Sequence, residues 1–95
     1  MTFMRKARVD ANQPMVVACF RRLGWSVLII SQLKKCCDII VAKGGQTIAV
    51  EIKDGDKPPS QRKLSGGEQK FKDEWFGRWE LIESIDDVIK LNGEL

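Results

Sequence analysis

The order of apolar runs and turn signals predicts an α/β domain on a mixed sheet, an α+β arrangement with its elements in the order α-β-β-β-α-β-α. Three observations predict it. Short runs rich in β-branched residues fall within residues 25 to 30, 37 to 42 and 47 to 53. Gly44-Gly45 separates the second run from the third, a strong hairpin signal. Apolar residues at helical spacing, opened by capping residues, stand on both sides of this group.

A first helix is expected to begin within residues 10 to 14, because Asp10 and Gln13 have capping-box spacing and Pro14 is tolerated in a first turn. Val16, Cys19, Phe20 and Leu23 give it an apolar stripe, and Gly24 ends it. The near-continuous apolar character of the three strands that follow predicts a sheet covered on both faces. Residues 54 to 64 form a polar loop, long for so small a chain and therefore mobile or functional. Ser65-Gly-Gly-Glu68 is a second capping box, opening a helix with Phe71 and Trp75 at i and i+4. A short last strand spans residues 78 to 82. Ser84-Ile-Asp-Asp87 then caps a helix carrying Ile85, Val88 and Ile89. Trp75 and Trp79 are expected in the core, in preference to stacking on unpaired bases.

Ninety-five residues suit one domain, residues 1 to 95, with a single core. Hydrophobic residues at 43% and charged residues at 31% exclude a wholly disordered chain. The longest apolar runs, such as residues 27 to 30, are far too short to span a bilayer, so no membrane role is expected. The N-terminus lacks the features of a secretory signal, and three cysteines, two of them adjacent, make a poor disulfide framework. A cytoplasmic location follows. With no histidine and no recognised cysteine spacing, a zinc site is not expected.

The net charge of +3 hides an asymmetry. Residues 1 to 72 carry +8 and residues 73 to 95 carry −5, so a polyanion is the expected partner of the first part. Lys57, Arg62 and Lys63 of the polar loop are expected to track a nucleic-acid backbone, or else Arg5, Lys6 and Arg8; Arg5, Lys6, Arg8, Arg21, Arg22, Lys34 and Lys35 also suit an ordinary solvated surface.

The chemistry-bearing residues lie on the second and third strand runs. In a strand, residues i and i+2 point the same way, so Glu51 and Lys53 share a face with Ala49 while Val50 and Ile52 face the other side. The hairpin brings Asp38 beside them. Two carboxylates can hold a hard divalent cation, and an adjacent ammonium can orient an attacking water or offset charge at a phosphodiester. Asp followed by Glu-x-Lys also occurs by chance. Its position on apolar strands, where ionised groups are costly, is what favours a site.

With these residues in view, the chain resembles the VRR-NUC family of the PD-(D/E)XK nuclease superfamily, in its small standalone phage or bacterial type. The likeness rests on residues 10 to 13, Cys37-Asp38-Ile39-Ile40, Glu51-Ile52-Lys53-Asp54-Gly55, Lys57-Pro58-Pro59-Ser60 and Glu68-Gln69. It implies a restriction-endonuclease-like core and a Mg²⁺ or Mn²⁺-dependent DNA endonuclease. Asp38, Glu51 and the backbone carbonyl of Ile52 would hold the metal, Lys53 would position or activate water, and Gln69 would lie beside the cluster. It further implies a homodimer acting on branched or four-way junction DNA, or on duplex, in the cytoplasm of a bacterial host if phage-encoded. Two positions depart from the family pattern: Cys37 replaces a proline, and Met15 replaces a first-helix glutamate. The second departure supports an alternative, a weakly active or non-catalytic nucleic-acid-binding module. Met15 is expected to project from the first helix toward the sheet, so Met15→Glu would restore a carboxylate near Asp38 and Glu51, tighten metal binding and raise cleavage.

Overall fold

The computed structural model describes residues 9 to 33 and 35 to 95. Its elements are α1 (Gln13–Arg22), β1 (Ser26–Ile29), β2 (Ile39–Lys43), β3 (Gln46–Ile52), a short 3-10 turn (Pro59–Gln61), α2 (Gly66–Glu74), β4 (Arg78–Ile82) and α3 (Ile85–Gly93). The sheet order is β1-β2-β3-β4. The first three strands are antiparallel neighbours, and β4 runs parallel to β3 after the crossover through α2. The predicted element order and mixed sheet are both present.

Local chemistry explains several boundaries. Lys43 pairs with Gln46 across Gly44 and Gly45, whose φ values of 60° and 80° give the left-handed pair that a two-residue hairpin of this twist requires. Ser65 and Glu68 form the expected capping box at α2, with the Ser65 side chain accepting from the Glu68 amide and Glu68 Oε1 accepting from the Ser65 amide. Ser84 caps α3 by accepting from the Asp87 amide. The expected box at α1 does not form. Asn12 is the N-cap residue and makes no side-chain cap. Instead its amide nitrogen reaches across to the carbonyls of Lys53 (3.1 Å) and Glu83 (3.2 Å), tying the start of α1 to the chain just beyond both parallel strands.

Side-chain alternation sorts the sheet into two faces. Ile39, Val41, Ile48, Val50 and Ile52 enter a dry core with Val16, Val17 and Phe20 of α1, Val88 and Leu91 of α3, and Trp25. Phe20 and Trp25 meet edge to face at 5.3 Å, and the Trp25 indole nitrogen donates to Asn92. The opposite face carries Glu51 and, in register across the strands, Leu28, Ile40, Ala49 and Trp79. Among the described residues α2 is the helix on this face, reaching it through Glu68 and Lys72, and none of its residues is buried. Among the described residues, helices therefore stand on both faces, with α1 and α3 closing one fully and α2 covering part of the other, where Ala49 and Glu51 are buried and Leu28 is exposed. On α3, Ile85 and Ile89 are exposed, and Leu91 joins Val88 inside. Trp75 and Trp79 are likewise outside the core, half-buried at the surface. Among the described residues, no helix is long and apolar enough to cross a membrane.

Candidate acidic cleft

The β2–β3 hairpin places Asp38 one residue before β2 and Glu51 near the end of β3. Asp38 is locked into the sheet end: its amide donates to the Val50 carbonyl (3.1 Å), its carbonyl accepts from Ile30 (3.0 Å), and its carboxylate Oδ2 accepts from the Ile52 amide (2.7 Å). Glu51 lies on the face opposite Val50 and Ile52, as strand alternation requires, and is only 3% exposed. Lys53 follows on the same side. These three residues line a cleft of about 460 Å³ with Val9, Asp10, Lys57, Gln61 and Glu68.

The electrostatics of the cleft are unequal. Burial, and then the hydrogen bond and charge of Asp38 together with the nearby Glu68, push the Glu51 carboxyl up to about 10, so its proton is retained at neutral pH. Burial alone would pull Lys53 down. Its 2.8 Å contact with Glu68, aided by Glu51 and Asp10, holds the ammonium above its ordinary value instead. Burial likewise opposes ionisation of Glu68, yet Lys53 and the Ser65 amide keep that carboxyl below the usual range. Burial raises Asp10, against the opposing charge of Lys53. A lysine held charged in this way is suited to orienting water or meeting a phosphate, and not to accepting a proton.

Two cleft residues have roles that the sequence reading did not assign. Glu68 is both the cap of α2 and the partner of Lys53; its capping position was legible, but the second contact depends on how α2 lies on the sheet. Asp10 was read as a helix cap and instead contributes a carboxylate to the cleft. Gln69, expected beside the cluster, is exposed and donates to Asp73 (2.8 Å), because one residue along a helix turns the side chain by about 100°.

Met15 does not point at the cleft. It is 56% exposed and lines a separate depression of about 440 Å³ with Asn12, Asp54, Arg62, Glu83 and the start of α3. Of the expected nucleic-acid contacts, Lys57 lines the acidic cleft and Lys63 is exposed. Arg62 is engaged as a loop staple, donating to Glu83 (2.8 Å) and to the Lys57 carbonyl (2.8 Å). Arg5, Lys6 and Arg8 lie outside the described residues. Among those residues, no group of three or more His, Cys, Asp or Glu side chains is disposed as a metal-ligand set.

No protein-family model, curated protein or solved structure matches this chain.

Proposed function

We propose that this chain is a divalent-metal-dependent nuclease of PD-(D/E)XK type that hydrolyses DNA phosphodiesters at the Asp38–Glu51–Lys53 cleft. One observation carries the reading. The cleft gathers four carboxyl groups, Asp10, Asp38, Glu51 and Glu68, against two ammonium groups, Lys53 and Lys57. Fully ionised, that lining has an excess of two negative charges, which one divalent cation would offset. It would also favour the ionised form of Glu51.

Carboxylate and carbonyl oxygens are the donor type that a hard cation prefers. Asp38 and Glu51 would hold Mg²⁺ or Mn²⁺ with help from the Ile52 carbonyl, leaving further positions to water, as Mg²⁺ commonly requires. Such an ion supplies Lewis acidity toward a phosphate oxygen and a more acidic bound water. The chain's own residues do the remainder. The Ile52 amide fixes the Asp38 carboxylate, Lys53 is kept charged to face the phosphate, and Glu68 holds that ammonium in place until substrate arrives. Branched or junction DNA as substrate, and a homodimer to grip it, belong to the same proposal.

The two-carboxylate set also favours a second reading, a nucleic-acid-binding module without catalysis. Incubating the protein with labelled linear, flap and four-way DNA, with and without Mn²⁺, separates the two. Metal-dependent cleavage that disappears in a folded Glu51→Gln protein supports the nuclease. Binding without cleavage at any metal concentration supports the module.

A further inference from the structure

The polar loop between β3 and α2 is tied at both ends to one residue, Glu83. Near its start the Gly55 amide donates to the Glu83 carbonyl (3.0 Å), and a Cβ on Gly55 would stand 2.6 Å from that oxygen, so glycine is what lets the two backbones come this close. Near its end Arg62 Nη1 donates to Glu83 Oε2 (2.8 Å), while Arg62 Nε donates to the Lys57 carbonyl (2.8 Å). Resting on the nuclease reading for its ligand, we infer that Arg62 is a positioning residue: it holds Lys57 and Gln61 at the acidic cleft, where Lys57 meets a DNA phosphate beside the scissile one.

The interior of the loop is fixed as well. The Asp56 amide donates to Asp54 Oδ1 (3.0 Å) and the Lys57 amide to the Asp54 carbonyl (3.1 Å). Pro58 and Pro59 restrict the backbone, and the Gln61 amide closes the 3-10 turn on the Pro58 carbonyl (2.8 Å). Lys57 and Gln61 both line the cleft. Arg62 lines the separate depression that holds Met15. A loop ordered before substrate arrives binds without a further entropic penalty, so bracing it from the far side favours the two residues that face the cleft.

Charge separates the roles of the basic residues. Lys53 is in contact with Glu68, whereas Lys57 forms no ion pair among the described residues. Asp10 feels the charge of Lys57 through space. A phosphate oxygen can therefore take the Lys57 ammonium without breaking an existing bond. The exposed Gln61 amide can donate to a neighbouring phosphate or sugar oxygen. Arg62 is committed already: turning it to DNA would strand the Glu83 carboxylate and release the Lys57 carbonyl.

The test measures binding in EDTA, where cleavage plays no part, by fluorescence anisotropy of labelled duplex and flap DNA over a range of salt concentrations. On duplex, Lys57→Ala should weaken binding about tenfold and flatten the logarithmic salt slope by about 0.9, the loss of one phosphate contact. Arg62→Gln should do the same by releasing Lys57, and the double variant should lose no more than either alone. Arg62→Lys keeps the charge but cannot span both acceptors, so it should behave as Arg62→Gln does. Gln61→Ala should weaken binding with the slope unchanged. Additive losses in the double variant, or a parent-like slope in Arg62→Lys, would make Arg62 a phosphate contact and overturn its positioning role. Parent-like affinity and slope in Lys57→Ala would take the loop off the DNA surface and overturn the inference too. Neither result touches the nuclease reading, which stands or falls on metal-dependent cleavage by the parent. Absence of DNA binding by the parent on every probe overturns both.

Discussion

Against α1 and α3, the sheet presents Ile39, Val41, Ile48, Val50 and Ile52 with no exposed surface; against α2, it presents a buried acid, a paired lysine and half-covered aromatic rings. The two faces share the same strands and differ by one residue of register. The first repeats a single solution, apolar side chains removed from water, and supplies most of the stability available to so small a domain. The second carries the ionisable groups that line the acidic cleft, Glu51 buried among them. Placing both kinds of surface on one sheet holds the cleft's side chains against a rigid apolar core.

The largest effect is expected from breaking the closed face. Phe20→Ala, at the centre of that core, should cost about 3–5 kcal/mol and bring the domain near unfolding at room temperature. Urea titration followed by tryptophan fluorescence would measure it. A cost below about 1 kcal/mol would mean that the α1 side does not carry the fold.

On the open face, the comparison sharpens into a pH dependence. Glu51 binds its proton more tightly in the folded chain, up to about 10, than in the unfolded chain near 4.5. Between those values the folded state holds more protons, so its stability falls as pH rises through the window. Without added metal, unfolding midpoints should therefore drop from pH 5 to pH 9 in the parent and drop less in Glu51→Gln. At pH 8 the Gln variant should be the more stable protein while losing metal-dependent cleavage. An equal pH dependence in both proteins would deny Glu51 its burial cost.

A smaller effect is expected where α2 is anchored. Ser65→Ala removes one half of the capping box and should cost about 1 kcal/mol, chiefly as local opening of α2. Hydrogen exchange should show α2 amides accelerating while α1 and α3 amides change little. Cleavage should weaken by more than the global stability does, because Glu68 loses its fixed position beside Lys53.

The smallest change is expected from Met15→Glu. The side chain is exposed beside Asp54 and Asp86 and away from the acidic cleft, so stability should move by less than about 0.5 kcal/mol and cleavage should not rise. Paired melting curves and cleavage rates would check this. A clear gain in activity would mean that α1 turns its other side to the sheet.

The parts of the fold legible in the sequence are those decided by neighbours. Gly44-Gly45 reads as a turn because both positions need left-handed backbone, and Ser65 with Glu68 reads as a cap because the two reach each other within one helical turn. Alternation along β3 likewise assigned Glu51 and Val50 to opposite faces. The direction of Met15, the exposure of Ile85 and Ile89, and the choice of Glu68 over Gln69 depend on the rotation of each helix against the sheet. That rotation is set by packing between distant residues, which periodicity only loosely constrains. Aromatic size argues for the core at Trp75 and Trp79, but alternation along β4 turns Trp79 to the opposite face of the sheet and Trp75 caps the end of α2.

The amide of Asn12 has a bearing on the order of events during synthesis. It donates to two carbonyls, one 41 residues downstream and the other 71. Neither the hairpin nor the capped α2 needs that bond, so both can form while the chain is still growing. The start of α1, however, gains both of these bonds only when Glu83 has been made and β4 has settled beside β3. Asp10, two residues before Asn12, therefore takes its place in the acidic cleft among the last. The carboxyl groups of Asp10 and Glu51 thus share one cleft only over a scaffold that already includes β4.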